Sequence, residues 1–182
     1  TLSKHSFYAV KTRLPGDGGD AQARYIEAVI STAWGAMGVA SIYLPNGNPV
    51  ETEKFGYKLG WMARLNAHAK ALLAYEEPLA LMGDYNVIPE ARDAARPQDW
   101  VGDALFQPQS REAFRALQWL GFTEAFMAID GHEGAYTFWD YQAGAWQRNN
   151  GIRIDHLLLS PQAADKLGAV SIAKHVRGWD KA

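Results

Sequence analysis

The spacing of apolar positions changes several times along this chain, and each change marks a new element. Residues 24–30 carry the period of two of a strand, and residues 39–44 repeat it after Gly35 and Gly38, so the two predict a hairpin. From Thr52 to Tyr75 the period lengthens, with Phe55, Leu59, Met62, Leu65, Ala69 and Leu72 recurring every three or four residues. That spacing predicts one long helix burying a single stripe. Pro78 separates it from Leu79, Ala80, Leu81 and Met82, an unbroken apolar run that reads as a central strand covered on both faces. A loop rich in Pro, Asp and Arg spans 89–108. Ser110 then predicts the cap of a second helix carrying Phe114, Leu117 and Leu120, with Gly121 at its C-terminal end. Residues 136–139 and 152–159 are again strand-like, with a loop over 142–151. Ser160 and Pro161 open a short helix, and residues 170–172 predict one more strand. Strands outnumber helices, and hairpin and crossover connections are mixed. The pattern therefore predicts a layered α/β sandwich in place of a doubly wound sheet.

Composition narrows this picture. The 182 residues are 48% hydrophobic and 12% aromatic, enough for one core and too few for two ordinary domains. Residues 1–182 are thus expected to form a single domain. Seven Trp and eight Tyr exclude a linker or disordered segment. No apolar run approaches the ~20 residues of a membrane span, and residues 1–5 lack the features of a secretory signal. The absence of cysteine excludes disulfides, thiolate metal sites and thiol nucleophiles. A cytoplasmic setting with no membrane partner is expected. The formal net charge of −2 argues against holding nucleic acid by bulk electrostatics. An acidic cluster binding a divalent metal would lower net charge while making phosphate chemistry possible.

Three segments carry candidate chemistry. In the first, the apolar run ends at Gly83, and Asp84 and Asn86 follow two positions apart, on one face if the backbone stays extended. An Asp there can take a proton from water or bind a metal, and an Asn can offer a ligand oxygen or a donor to a developing oxyanion. The same residues are also good turn chemistry. The second is Tyr43 before the Pro45-Asn46-Gly47 reversal, where phenol and amide could meet one phosphate or simply pack beside a turn. The third is the strand-like Ile152 to His156, with Ile152 and Ile154 on one side and Arg153 and Asp155 on the other. Asp155 could pair with Arg153, cap a turn, or orient a catalytic histidine. The five histidines show no metal-ligand spacing and read as ordinary surface or core residues. Arg92, Arg96, Lys174 and Arg177 read as solvated charge, and the aromatic run from Tyr136 to Trp146 as core.

Taken in order, Tyr43-Leu44-Pro45-Asn46-Gly47, Gly83-Asp84-Tyr85-Asn86, Tyr136-Thr137-Phe138-Trp139-Asp140-Tyr141 and the stretch from Gly151 to Ser160 resemble exonuclease III and its abasic-site endonuclease relatives, the bacterial exodeoxyribonuclease III type above all. The likeness extends over nearly the whole chain, including residues 14–17 and 23–27. It implies a four-layer α/β sandwich of two mixed β-sheets flanked by helices, the endonuclease/exonuclease/phosphatase or DNase I-like arrangement. It implies a DNA-repair hydrolase: a 3′-to-5′ exodeoxyribonuclease on duplex DNA that also incises 5′ to abasic sites. Magnesium would be the cofactor, with manganese able to replace it, and the intact protein would be a monomer acting on double-stranded DNA, abasic sites and 3′ ends.

The resemblance also implies roles. Tyr43 would contact the scissile phosphate. Asp84 would activate water or protonate the leaving oxygen and, with Asn86, ligate magnesium. Asn86 would stabilise the transition state, and Asp155 would orient the family's histidine. Asn46 and Asn149 would hold phosphate, and Phe138, Ile152 and Ile154 would wall the pocket for a flipped-out abasic sugar. The family's opening Asn-Val-Asn and glutamate strands and its closing Ser-Asp-His lie outside this sequence. The expectation is that the chain is cut short at both ends, leaves sheet edges and apolar faces uncovered, and is inactive by itself. Two rivals are a non-catalytic DNA-binding module on the same fold and a phosphodiesterase acting on a lipid or small-molecule ester.

Overall fold

The structure, a computed structural model, describes residues 4 and 6–179. Strands β1 (Phe7–Lys11), β2 (Tyr25–Thr32) and β3 (Gly35–Tyr43) form an antiparallel meander. The 21-residue helix α1 (Glu53–Leu73) then crosses over to β4 (Leu79–Asp84), which lies parallel to β3. Helix α2 (Pro108–Trp119) leads into the short β5 (Thr123–Glu124) and α3 (Ala125–Ile129). Strands β6 (Phe138–Trp139) and β7 (Gly151–Ile152) pair with each other, while β8 (Asp155–Leu159) returns between β4 and β5. Helix α4 (Pro161–Ala164) follows. The result is a six-stranded mixed sheet in the order β1-β2-β3-β4-β8-β5 beside a small antiparallel pair. The two-sheet α/β class is therefore as expected, and β1 adds an edge strand that the sequence pattern did not predict.

One face of the large sheet makes the main core. Ala40, Ile42, Leu79, Leu81 and Leu158 of the strands pack against Trp61, Met62, Leu65 and Ala69 of α1 and Phe114 and Leu117 of α2. Each large side chain buried there contributes on the order of 1.5–3 kcal/mol. Thr52 caps α1, its side chain accepting from the Lys54 N–H. The start of that helix follows from a capping residue set just before the first apolar position. On the opposite face Ala80 and Leu159 pack with Ala125 and Ala163.

Gly83 decides how β4 ends. Its φ is +140°, and a Cβ there would overlap the Ile42 carbonyl of β3. Only glycine lets the two strands stay in parallel register as far as Tyr43 and Asp84. This is what carries Asp84 to the sheet edge.

Several expectations need correction. Ser110 does not cap α2, which starts at Pro108 after Gln107; Ser110 lies buried in the first turn and donates to the Ala104 carbonyl at 2.7 Å. Proline at the first position set the start. Residues 152–159 are not one strand but β7 and β8, interrupted at Arg153 and Ile154. Residues 170–172 form no strand. Met82 is 38% exposed, so β4 is covered on both faces only at its inner end. The residues flanking Leu2 lie outside those described. Among the described residues, no helix is long and apolar enough to cross a membrane.

Candidate active site

Three neighbouring strands place three candidate side chains in a row. Tyr43 stands beside Asp84 across β3 and β4, and Asp84 beside Asp155 across β4 and β8. Because Ile42, Leu81 and Leu158 face the α1 core, strand alternation sends Tyr43, Asp84 and Asp155 to the other face. Residues far apart in sequence are thereby brought to one edge of the sheet.

A net of amides supports the central carboxylate. Asp84 Oδ1 accepts from the Asn86 backbone N–H at 2.8 Å, and Oδ2 from Asn86 Nδ2 at 3.2 Å. The same Nδ2 also donates to the Leu44 carbonyl at 2.8 Å, while Asn86 Oδ1 accepts from Asn46 Nδ2 at 3.2 Å. Asn46 Oδ1 in turn accepts from Asn48 N at 3.2 Å and Asn48 Nδ2 at 2.9 Å. Asn86 holds a left-handed backbone, φ +47°, which asparagine tolerates better than most residues. Burial raises the Asp84 carboxyl to about 6; the Asn86 N–H opposes that rise, and the neighbouring negative charge of Asp155 adds to it.

The flanks of the row are polar and open. Tyr43 is 55% exposed, with the Arg24 guanidinium 5.1 Å above its ring and donating to its carbonyl at 3.3 Å. Asp155 is exposed, and its backbone N–H and that of Ile154 both donate to Thr137 Oγ1 at 3.1 Å. Asp155 does not pair with Arg153, which turns inward to Asp93 and Glu124. The two side chains therefore do not share a face. Beside Asp155 lies a cleft of about 410 Å³ lined by Thr137, Trp139, Lys174 and Arg177. Asn149, with φ +52°, accepts through Oδ1 from Lys174 Nζ at 2.8 Å and Trp139 Nε1 at 3.3 Å. A carboxamide whose oxygen is doubly engaged offers its NH2 to an incoming acceptor. Phe138 is 38% exposed and pairs with Ile152, but Ile152 and Ile154 are buried among Ile88, Ala94 and Leu105. Of the three apolar candidates, Phe138 alone reaches the surface to any extent.

Two acidic side chains side by side, one with a raised carboxyl, are the kind of uncompensated negative charge that a divalent cation relieves. Asp84 and Asp155 fit that role; Asn86 fits only by sharing the oxygen that now accepts from Asn46. Among the described residues there is no group of three or more His, Cys, Asp or Glu able to hold a metal. Sequence reasoning did not single out Arg24, Thr137 or Lys58. Arg24 and Thr137 meet the row through contacts distant in the chain that no local pattern announces.

The chain belongs to the endonuclease/exonuclease/phosphatase family, whose model matches residues 1–177. It is 28% identical to exodeoxyribonuclease III of Haemophilus influenzae over 99% of this chain and 70% of that protein. A 3′ phosphatase from Neisseria, solved with a product DNA hairpin, superposes with TM-score 0.92 and 30% identity over 98% of this chain and 68% of that one. An AP endonuclease from Archaeoglobus fulgidus gives TM-score 0.81 and 30% identity over 88% of this chain and 61% of that one. The chain thus spans roughly two thirds of the length of these relatives.

Proposed function

We propose that the whole protein is a metal-dependent DNA-repair nuclease. It hydrolyses phosphodiester bonds of duplex DNA from 3′ ends and incises on the 5′ side of abasic sites. One observation carries the reading: Asp84, fixed by both amide groups of Asn86, sits between an exposed phenol and a second carboxylate on the same sheet edge. A carboxyl poised near 6 can exchange a proton with water or a leaving oxygen close to neutral pH. Tyr43 donates its O–H to a phosphate oxygen, and the amides of Asn46 and Asn149 help hold that phosphate. Asn86 keeps the carboxylate aimed and lies within reach of a developing oxyanion. Asp155 holds a negative charge beside Asp84 and orients a catalytic histidine. Phe138, backed by Ile152 and Ile154, lines the place of an abasic sugar.

Magnesium, or manganese in its place, would be held by Asp84 with Asn86 and would neutralise charge on the phosphoryl group. The names of the relatives, an exodeoxyribonuclease, a 3′ phosphatase with bound DNA and an AP endonuclease, support this substrate class. The test compares whole-protein cleavage of an abasic duplex and of an inositol phosphate, each with magnesium and with chelator. Magnesium-dependent incision of the duplex alone is expected. Preferential hydrolysis of the inositol ester, or duplex binding with no incision, would replace this reading with one of its rivals.

A further inference from the structure

Lys58 lies in the second turn of α1, on the core side, with 0% of its surface exposed. Burying an ammonium costs several kcal/mol unless its donors are satisfied. A methionine of similar length would fill the same space without that cost. What the ammonium adds is two hydrogen bonds, to the Asn46 carbonyl at 3.0 Å and the Asn86 carbonyl at 2.5 Å. These are the two residues whose side chains join across the site, Asn46 Nδ2 to Asn86 Oδ1. The stem of Lys58 is also moulded to the turn. Gly47, at φ +90°, approaches it so closely that a Cβ would collide with the lysine stem and press on Ala104.

From this geometry we infer that Lys58 is a positioning residue for the nuclease proposed above: it ties the Asn46 turn and the Asn86 turn to one rigid helix, so that the Asn46–Asn86–Asp84 chain of hydrogen bonds forms. It touches neither substrate nor reacting atoms. Its effect is transmitted by backbone carbonyls, one for each turn. Helix α1 is a suitable anchor, because its stripe is locked into the main core by Trp61, Met62 and Leu65. Without the clamp both turns keep their own side chains but lose the shared reference that sets them against each other.

The test uses Lys58→Met, with Lys70→Met on the exposed side of the same helix as control. Side-chain amide signals of Asn46, Asn86 and Asn149 are followed by 15N-labelled NMR without substrate. In Lys58→Met the Asn46 and Asn86 signals should move and exchange faster, while Asn149 and the thermal midpoint stay close to those of the Lys70→Met control. On the whole protein, kcat for abasic duplex should fall about 10–100-fold with KM within about twofold, as expected when reacting groups are misplaced and binding is kept. Unmoved Asn46 and Asn86 signals, or an unchanged kcat, would overturn the proposal. Should Lys58→Met fail to fold, Lys58→Leu removes every donor as well and carries the same amide readout with the same two outcomes. The NMR arm needs no activity, so a protein that cleaves nothing would sink the nuclease reading and leave the clamp to be judged on the amides.

Discussion

The two sides of strand β8 hold acidic groups in opposite conditions. On the inner side, Arg153 is bonded to Asp93 at 2.9 Å and lies 3.3 Å from Glu124, and its NH1 stands 3.2 Å from His156 Nδ1. His156 itself packs edge-on against Tyr85 and at a tilt against Phe114. Burial alone would raise the Glu124 carboxyl, but His156, Arg153 and the Met127 N–H together hold it below the usual range. On the outer side, Asp84 and Asp155 adjoin each other, and Asp84 is pushed up to about 6. Compensated charge makes the inner cluster part of the scaffold. Burial, with the Asp155 charge beside it, makes the Asp84 carboxyl the group on the outer side that gains when a cation or proton arrives. Successive residues of one strand, Asp155 and His156, thus face opposite ways, one toward the proposed site and one into the scaffold.

The comparison can be broken at either end. The largest effect is expected from Arg153→Ala, which leaves Asp93 and Glu124 buried without their cation. Urea unfolding at pH 7 should show a loss of about 3–5 kcal/mol. A loss below about 1 kcal/mol would mean that the inner cluster does not hold the break between β7 and β8. Next, Asp84→Asn should stabilise the fold at pH 7. The raised carboxyl favours the protonated folded state, so stability is full below the unfolded value of 3.8 and falls as pH rises through about 6. Removing the charge should gain about 1–2 kcal/mol at pH 7 and little by pH 4. A gain that did not change with pH would deny the outer pair its strain. The smallest effect belongs to the exposed pair of Arg96 and Asp99, 3.0 Å apart. Arg96→Ala should change thermal stability by less than about 0.5 kcal/mol, and a larger loss would show that exposed pairs also carry this fold.

Much of this was legible in the sequence because it depends on short-range pattern. The α1 stripe, the Thr52 start, the hairpin and the Gly-Asp-x-Asn turn are local facts, except that Lys58 and Trp61 take the place of Leu59 on the buried side of the stripe. The order of Tyr43, Asp84 and Asp155 identified the family before their strands were known to be neighbours. What escaped depends on partners distant in the chain. Arg153 leaves its strand alternation because Asp93 and Glu124 draw it inward, and that breaks an otherwise regular run. Lys58 shows nothing locally to set it apart from a solvated helix lysine until Asn46 and Asn86 are placed beneath it. The candidate strand at 170–172 had a plausible pattern but no neighbour to pair with among the described residues, and pattern without a partner makes no strand.

The central claim is that Asp84 is the working carboxylate of a nuclease. It is tested most directly by incision of a single abasic-site duplex in magnesium, whole protein against Asp84→Ala. The account predicts that the substitution lowers kcat by about a hundredfold or more, in line with removing a group that acts in the transition state. An Asp84→Ala protein that incises the duplex at the unaltered rate would contradict it.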